Sequence, residues 1–281
     1  MKKFRLRDYL PVLIMVLCAA IFGVLLATGV MDLDTVPQLV ADRPVLAVLV
    51  VGFLALAGGN PLVQLRRLFH HGQYGTITFD AHTNNGYAAF DGGLAVGTIS
   101  GLFTYDLYNE ETNAVQSGMS TPLLKSGEDT VLACDIGGST ICAVKKGKGT
   151  VFQDRLDGTI LDADLADDGA LCYALATKSD KTLLTVLDAE QNEIYRWYSE
   201  TAYFNQCAVS SSGTNLAGIR LGQQNNDFLS TAVLFRTDRE EPVAELALGN
   251  SLYLDLAFLA SRTLCAIGEN DAVFFSIDGK H

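Results

Sequence analysis

Leu161-Asp162-Ala163-Asp164-Leu165-Ala166-Asp167-Asp168-Gly169-Ala170-Leu171-Cys172-Tyr173-Ala174-Leu175 is the stretch from which the fold is read. Its first residues alternate apolar and acidic side chains, as a strand with one buried face must, because successive side chains point to opposite sides of a sheet. Asp167-Asp168-Gly169 then carries turn chemistry, with Asp capping the backbone and Gly free to take positive φ. Leu171 to Leu175 is an unbroken apolar run, the pattern of a strand covered on both faces. Lys181 to Leu187 makes a third strand and Ile194 to Tyr198 an outer one, richer in polar and aromatic residues.

The same order recurs on both sides of this unit. One kind of turn joins the first two strands of each unit: Asp91-Gly92-Gly93, Gly127-Glu128-Asp129, Asp167-Asp168-Gly169, Ser211-Ser212-Gly213 and Leu259-Ala260-Ser261-Arg262. A second kind follows the third strand, at Asp106, Lys146, Ala189, Asp238 and Gly279, with spacings of 40, 43, 49 and 41 residues. A four-stranded propeller blade takes about 40 to 45 residues. One such unit cannot bury both faces alone, whereas stacked units can. The fourth unit repeats the order with Phe204 to Val209, Asn215 to Arg220, Ser230 to Arg236 and Pro242 to Leu246. The fifth has Leu252 to Ala257, Leu264 to Ile267 and Ala272 to Ile277 and then reaches His281, so its outer strand is missing. Thr76-Ile77-Thr78-Phe79, left over before the first unit, is the natural candidate to supply that strand. The expected fold class is all-β: a β-propeller of about five four-stranded blades, closed by 76–79 or else incomplete, preceded by one or two transmembrane α-helices.

Composition supports that division. The chain has 281 residues, 49% hydrophobic and 19% charged, with a net charge of −12 and a mean hydropathy of +0.22. A disordered chain and a nucleic-acid binder are both excluded, the first by hydrophobicity and the second by acidity. Residues 1–72 carry 7 Lys+Arg against 4 Asp+Glu, and residues 73–281 carry 13 against 28, so a +3 anchor precedes a −15 domain. Tyr9 to Met31 is free of charge over 23 residues, enough for a helix to cross a hydrocarbon core of about 30 Å. Pro44 to Leu65 is a second charge-free stretch of 22 residues, weakened near its end by Gly58-Gly59-Asn60-Pro61.

A cleaved signal peptide does not fit the first stretch, whose apolar run is too long and lacks a small-x-small cleavage site. Leu17 before Cys18 likewise argues against a lipoprotein. Lys2, Lys3, Arg5 and Arg7 precede the first span and Arg66 and Arg67 follow the second, so the positive-inside rule favours a hairpin with both ends in the cytoplasm. The acidic domain is then cytoplasmic, and five unpaired cysteines there (Cys134, Cys142, Cys172, Cys207, Cys265) suit a reducing compartment. A second span lying only on the surface would place the domain outside instead.

Tyr-Gly-Thr-Ile-Thr-Phe-Asp from Tyr74, followed by Tyr-Ala-Ala-Phe-Asp-Gly-Gly-Leu-Ala-Val-Gly and Gly-Leu-Phe-Thr-Tyr-Asp-Leu, resembles the start of a family of membrane-anchored bacterial β-propeller proteins, domain of unknown function 5711. The resemblance covers about residues 74 to 280. It implies a WD40-like or quinoprotein-like propeller on an amino-terminal anchor, and it brings no activity or site residue. The chain departs from the family in its additional first span and in its short last blade.

Chemical motifs are sparse. Quinone-dependent enzymes of this shape repeat tryptophan docking motifs, whereas Trp197 stands alone and reads as an edge aromatic packing on a neighbouring strand. His70, His71, His82 and His281 lack the spacing of a zinc site. Asp162, Asp164, Asp167 and Asp168 before Gly169 have the wrong register for a calcium loop, whose glycine falls at the sixth position, occupied here by Asp167. No phosphate-binding glycine loop opens a helix, and no G-x-S-x-G elbow is present. The cysteines read as small, packed, inert side chains.

No catalytic, cofactor-binding or metal-ligating residue is therefore assigned, and no cofactor is expected. The first functional expectation is a non-enzymatic, membrane-anchored interaction or ligand-sensing module. Its partners are the lipid bilayer, through the spans, and a protein or small ligand, cationic by preference, on the propeller face. Nucleic acid is not expected. The alternative is an enzyme with a channel site acting on a cell-envelope polymer or small molecule. Joint replacement of the inner-strand carboxylates Asp164 and Asp255 separates the two, since a structural platform is expected barely to respond. The acidity otherwise reads as diffuse surface character.

Overall fold

Nineteen strands follow one another in chain order among the residues described by the computed structural model, which are 76–79, 82–106, 110–224 and 227–279. The expected spans at 9–31 and 44–65 lie outside the described residues. No helix among the described residues is long and apolar enough to cross a membrane.

The strands form five antiparallel sheets, each a simple meander in which chain order is also sheet order. The first contains β1 (Gly86–Phe90), β2 (Gly93–Thr98), β3 (Gly101–Tyr105) and β4 (Glu111–Gln116). The second contains β5 (Pro122–Ser126), β6 (Thr130–Asp135), β7 (Thr140–Lys145) and β8 (Gly149–Arg155). β9 (Thr159–Leu165), β10 (Leu171–Ala176), β11 (Thr182–Leu187) and β12 (Glu193–Ser199) make the third. β13 (Tyr203–Val209), β14 (Asn215–Gln224), β15 (Asp227–Arg236) and β16 (Ala244–Gly249) make the fourth. β17 (Tyr253–Ala260), β18 (Thr263–Gly268) and β19 (Ala272–Ser276) make a three-stranded fifth.

Each sheet packs on the next, and the core is divided accordingly into apolar layers. Phe90, Ala95, Leu102 and Val115 of the first sheet meet Val131, Ala133, Cys142 and Val144 of the second. The opposite faces of the same two strands, Leu132, Cys134, Ile141 and Ala143, meet Ile160, Ala163, Leu171 and Tyr173 of the third. The alternation continues with Cys172, Ala174 and Leu184 against Phe204, Leu216 and Phe235, and then with Ala217, Ile219 and Leu234 against Tyr253, Leu264 and Phe275. This is why the second strand of each of the middle units reads as a continuous apolar run: its odd and even residues enter two different layers. The buried apolar side chains of these sheets are divided among thin inter-sheet layers, each closed only when its neighbour is present.

Close approach between sheets has its own sequence requirement. At Gly97 a Cβ would lie 2.3 Å from Leu124 Cδ1 and 3.1 Å from Pro122 Cβ, so a larger residue here would require Leu124 to shift where the first two sheets meet.

Three expectations need correction. Residues 76–79 form no strand and do not complete the fifth sheet, which has three strands among the described residues. Phe79 lies instead against Tyr87 of β1, with ring centroids 5.6 Å apart, so its aromatic contact is with the first sheet. The outer strand of the fourth unit, expected at 242–246, is found at Ala244–Gly249. Strands β14 and β15 also extend past their expected ends and pair from Asn215↔Arg236 to Gln224↔Asp227.

Candidate functional site

The first strand of each sheet contacts the first strand of the next: β5 lies against β1, β9 against β5, β13 against β9 and β17 against β13. These strands have one edge paired within their own sheet. The other edge carries N–H and C=O groups that need partners elsewhere.

Carboxylates from the third sheet meet that need. Asp162 Oδ2 accepts the Cys207 N–H at 2.8 Å, and Asp164 Oδ2 accepts the Val209 N–H at 3.1 Å. Asp168, in the turn after β9, accepts the Ser212 N–H through Oδ2 and the Ala170 N–H through Oδ1, the latter at 3.2 Å. Residues expected to be diffuse surface acidity are thus a zipper from β9 and its turn onto the backbone that begins the fourth sheet. The alternating Asp pattern was visible in the sequence; its partners were not, because N–H groups on a strand edge leave no side-chain signature.

Lys125 of β5 completes the arrangement. Its Nζ lies 3.8 Å from Asp164 and 3.6 Å from Asp255 of β17, bringing the second, third and fifth sheets to one locus. Asp164 and Asp255, singled out in the sequence as inner-strand carboxylates, therefore share a single cation. Lys125 was not singled out. Its only sequence signal is that it is a lone base on a predicted inner strand of an acidic domain.

Burial sets the protonation of this group. Desolvation raises the Asp162 carboxyl to about 7, against the opposing pull of the Cys207 N–H and of Lys125. Asp164 is also raised by burial, and again Lys125 opposes the shift. For Lys125 desolvation works downward, but Asp164, Asp255 and Asp162 outweigh it and hold the ammonium above its ordinary value. The locus therefore keeps a charged lysine beside two carboxyls that resist ionisation.

The five cysteines of the domain are free and buried. Burial pushes the Cys142 thiol up to about 12. Cys207 is held well above the ordinary value by its hydrogen bond with Cys172 and by burial. No group of three or more His, Cys, Asp or Glu side chains among the described residues is placed to hold a metal ion. Trp197 on β12 stacks edge-on against Phe204 at 5.6 Å and leans on Phe235 at 4.9 Å, so it joins the layer between the third and fourth sheets.

A separate cleft of about 540 Å³ opens between β8 of the second sheet and β10 to β12 of the third. Its floor includes the buried Tyr173, Leu175 and Leu187, and its rim carries Asp154, Asp157, Asp180 and Glu193 with Arg155 and Arg196.

The family model described as "Family of unknown function (DUF5711)" matches residues 72–281. The chain belongs to the DUF5711 family. No curated protein matches this DUF5711 chain. Among solved structures, the DUF5711 domain is similar to KlHsv2 with loop 6CD replaced by a Gly-Ser linker, at 13% identity and a TM-score of 0.52, covering 70% of this chain and 66% of that one. It is similar to Hsv2 of Kluyvelomyces marxianus at 12% identity and a TM-score of 0.51, covering 72% and 59%. The WD40 domain of Neurospora crassa Pan2 follows at 8% identity and a TM-score of 0.47, covering 69% and 61%. The DUF5711 chain thus spans about 59 to 66% of the length of the two Hsv2 chains. At such identities the likeness is one of fold: the DUF5711 domain is an all-β propeller fold, with five sheets of three or four antiparallel strands among the described residues.

Proposed function

We propose that this DUF5711 protein is a membrane-anchored β-propeller that serves as a non-enzymatic protein-interaction or ligand-sensing module with a cationic partner. The observation that carries this reading is the occupation of the central polar groups. Asp162 and Asp164 each accept a backbone N–H of the next sheet, and Lys125 is shared between Asp164 and Asp255, so the polar centre ties sheets together. Recognition is then left to the periphery, where a domain charge of −15 attracts basic partners and repels nucleic acid and anionic lipid. Pull-down of the full chain from detergent-solubilised membranes tests the reading. Retention of a basic protein or ligand above controls supports it, and retention of nothing counts against it.

A second reading, an enzyme acting in the channel on a cell-envelope polymer or small molecule, draws on Asp162. A carboxyl held at about 7 has the protonation behaviour of a general acid or base near neutral pH. Release of product from a cell-envelope preparation by the full chain, abolished in Asp162→Asn, would establish it.

The domain is proposed to face the cytoplasm, on the charge asymmetry of the flanks of the spans. Labelling the native cysteines in intact cells is a poor test, since the five of the domain are buried. Lys148→Cys in the exposed turn after β7 supplies a reporter, and its protection from an impermeant maleimide until the cells are opened is the expected result.

A further inference from the structure

We infer that the cleft between the second and third sheets receives a lysine or arginine side chain of a partner protein, an inference that deepens the proposed interaction role. The cleft has the size of a ligand site, about 540 Å³, within the usual range of about 300 to 1,000 Å³. Its chemistry is divided by depth. Tyr173, Leu175 and Leu187 form a buried floor, and Phe152 and the half-exposed Tyr198 stand as aromatic walls. A long aliphatic stem packs on such a floor, and a cationic head is attracted to the faces of such rings.

The charges at the rim do not balance. Four carboxylates stand against two guanidinium groups. One of these, Arg196, is already committed to Glu193 and is hydrogen-bonded to Tyr198. Arg155 is left against Asp154, Asp157 and Asp180, so the rim is short of positive charge by two.

Asp180 is moreover held in place. Its Oδ2 accepts from Ser179 Oγ at 2.5 Å and from Thr177 Oγ1 at 3.2 Å, while the backbone of Thr177 donates to the Asp180 carbonyl at 3.0 Å. A fixed carboxylate over an apolar floor loses little freedom on meeting a cation. An anionic ligand would face the same rim as a net repulsion, and a neutral apolar one would leave the ring of charges desolvated.

The test is titration of the full chain in detergent with fluorescein-labelled poly-L-lysine at low and high salt, with poly-L-glutamate as the opposite charge. Three variants are compared: Asp157→Asn with Asp180→Asn in the cleft, Asp157→Lys alone at its exposed rim, and Glu240→Gln with Glu241→Gln, which are not among the residues lining the cleft. Loss of two carboxylates in the cleft is expected to weaken poly-L-lysine binding about tenfold, and the same charge change at 240 and 241 less than about twofold. Asp157→Lys is expected to weaken it at least as much as the cleft pair, with an unchanged melting temperature. Equal weakening by the cleft pair and the pair at 240 and 241 would overturn the inference, leaving only diffuse acidity. So would absence of poly-L-lysine binding in the unsubstituted chain. Failure of the cleft alone is recognised by a membrane pull-down that retains the same basic partner on the cleft variant as on the unsubstituted chain; failure of the interaction role is a pull-down that retains nothing.

Discussion

Lys125 on β5 and Asp255 on β17 stand 3.6 Å apart although they belong to the second and fifth sheets. Successive sheets rotated about a common axis bring such residues together, so the contact reports the curvature of the propeller directly. Asp164 of the third sheet joins the same lysine at 3.8 Å.

Removing this cation while keeping its stem, as in Lys125→Met, is expected to cost about 1 to 3 kcal/mol, between the values for exposed and buried ion pairs, because Lys125 is only partly covered. Asp255→Asn alone is expected to cost less than about 1 kcal/mol, since Asp255 is half exposed. Urea unfolding of the single and double variants measures the coupling. Equal and additive effects would show that the pair is incidental.

Asp162 sets a pH dependence whose sign is opposite to that of an ordinary salt-bridged carboxylate. Its folded value, about 7, lies above its unfolded value of 3.8, so between these limits the native state binds more protons than the unfolded chain. Stability contributed by the protonated carboxyl is complete below the unfolded value and declines as pH rises toward 7. Asp164, also raised, adds in the same direction. Melting temperatures between pH 4 and pH 8 should fall with rising pH, and Asp162→Asn, which keeps an acceptor for the Cys207 N–H, should flatten that slope.

Trp197 gives an optical reporter for one layer of the stack. Its ring meets Phe204 and Phe235 across the boundary between the third and fourth sheets. Phe235→Ala removes a fully buried ring and is expected to cost about 3 to 5 kcal/mol and to shift the tryptophan emission to longer wavelength. Phe274→Ala, on the exposed surface of β19, should leave that emission unchanged.

Gly101 and Gly118 form a matched pair for backbone geometry. Gly101 has φ of +145°, and a Cβ there would lie 2.0 Å from the Val115 carbonyl oxygen, whereas a Cβ at Gly118 meets nothing within 4 Å. Gly101→Ala is therefore expected to lower the melting temperature sharply, and Gly118→Ala to change it little.

The sheet order was legible because two signals coincide along this chain. The turn glycines and aspartates recur at the spacing of one blade, and the middle strands are apolar on both faces, as Leu171 to Leu175 shows once its side chains are divided between two layers. What lay beyond reach were relations between strands distant in sequence. Asp162 and Asp164 read as the polar face of a strand, yet their partners are amides of Cys207 and Val209 that no residue type announces. Thr76 to Phe79 has strand composition, but its aromatic ring packs on Tyr87 and the segment joins no ladder. The expectation that a structural platform would ignore loss of Asp164 and Asp255 also gives way, because both are ties to Lys125. The cleft was invisible for the same reason: Phe152, Asp157, Tyr173 and Asp180 come from separate strands and loops of two units.

The central claim is that this acidic propeller recognises a basic partner without transforming it. Pull-down of the full chain from detergent-solubilised membranes, in unsubstituted form and as Asp162→Asn, tests it most directly. The expected result is a basic protein retained by both forms and released by salt, chemically unchanged. Retention of nothing above controls, or a partner that is chemically altered by the unsubstituted chain and not by Asp162→Asn, would contradict it.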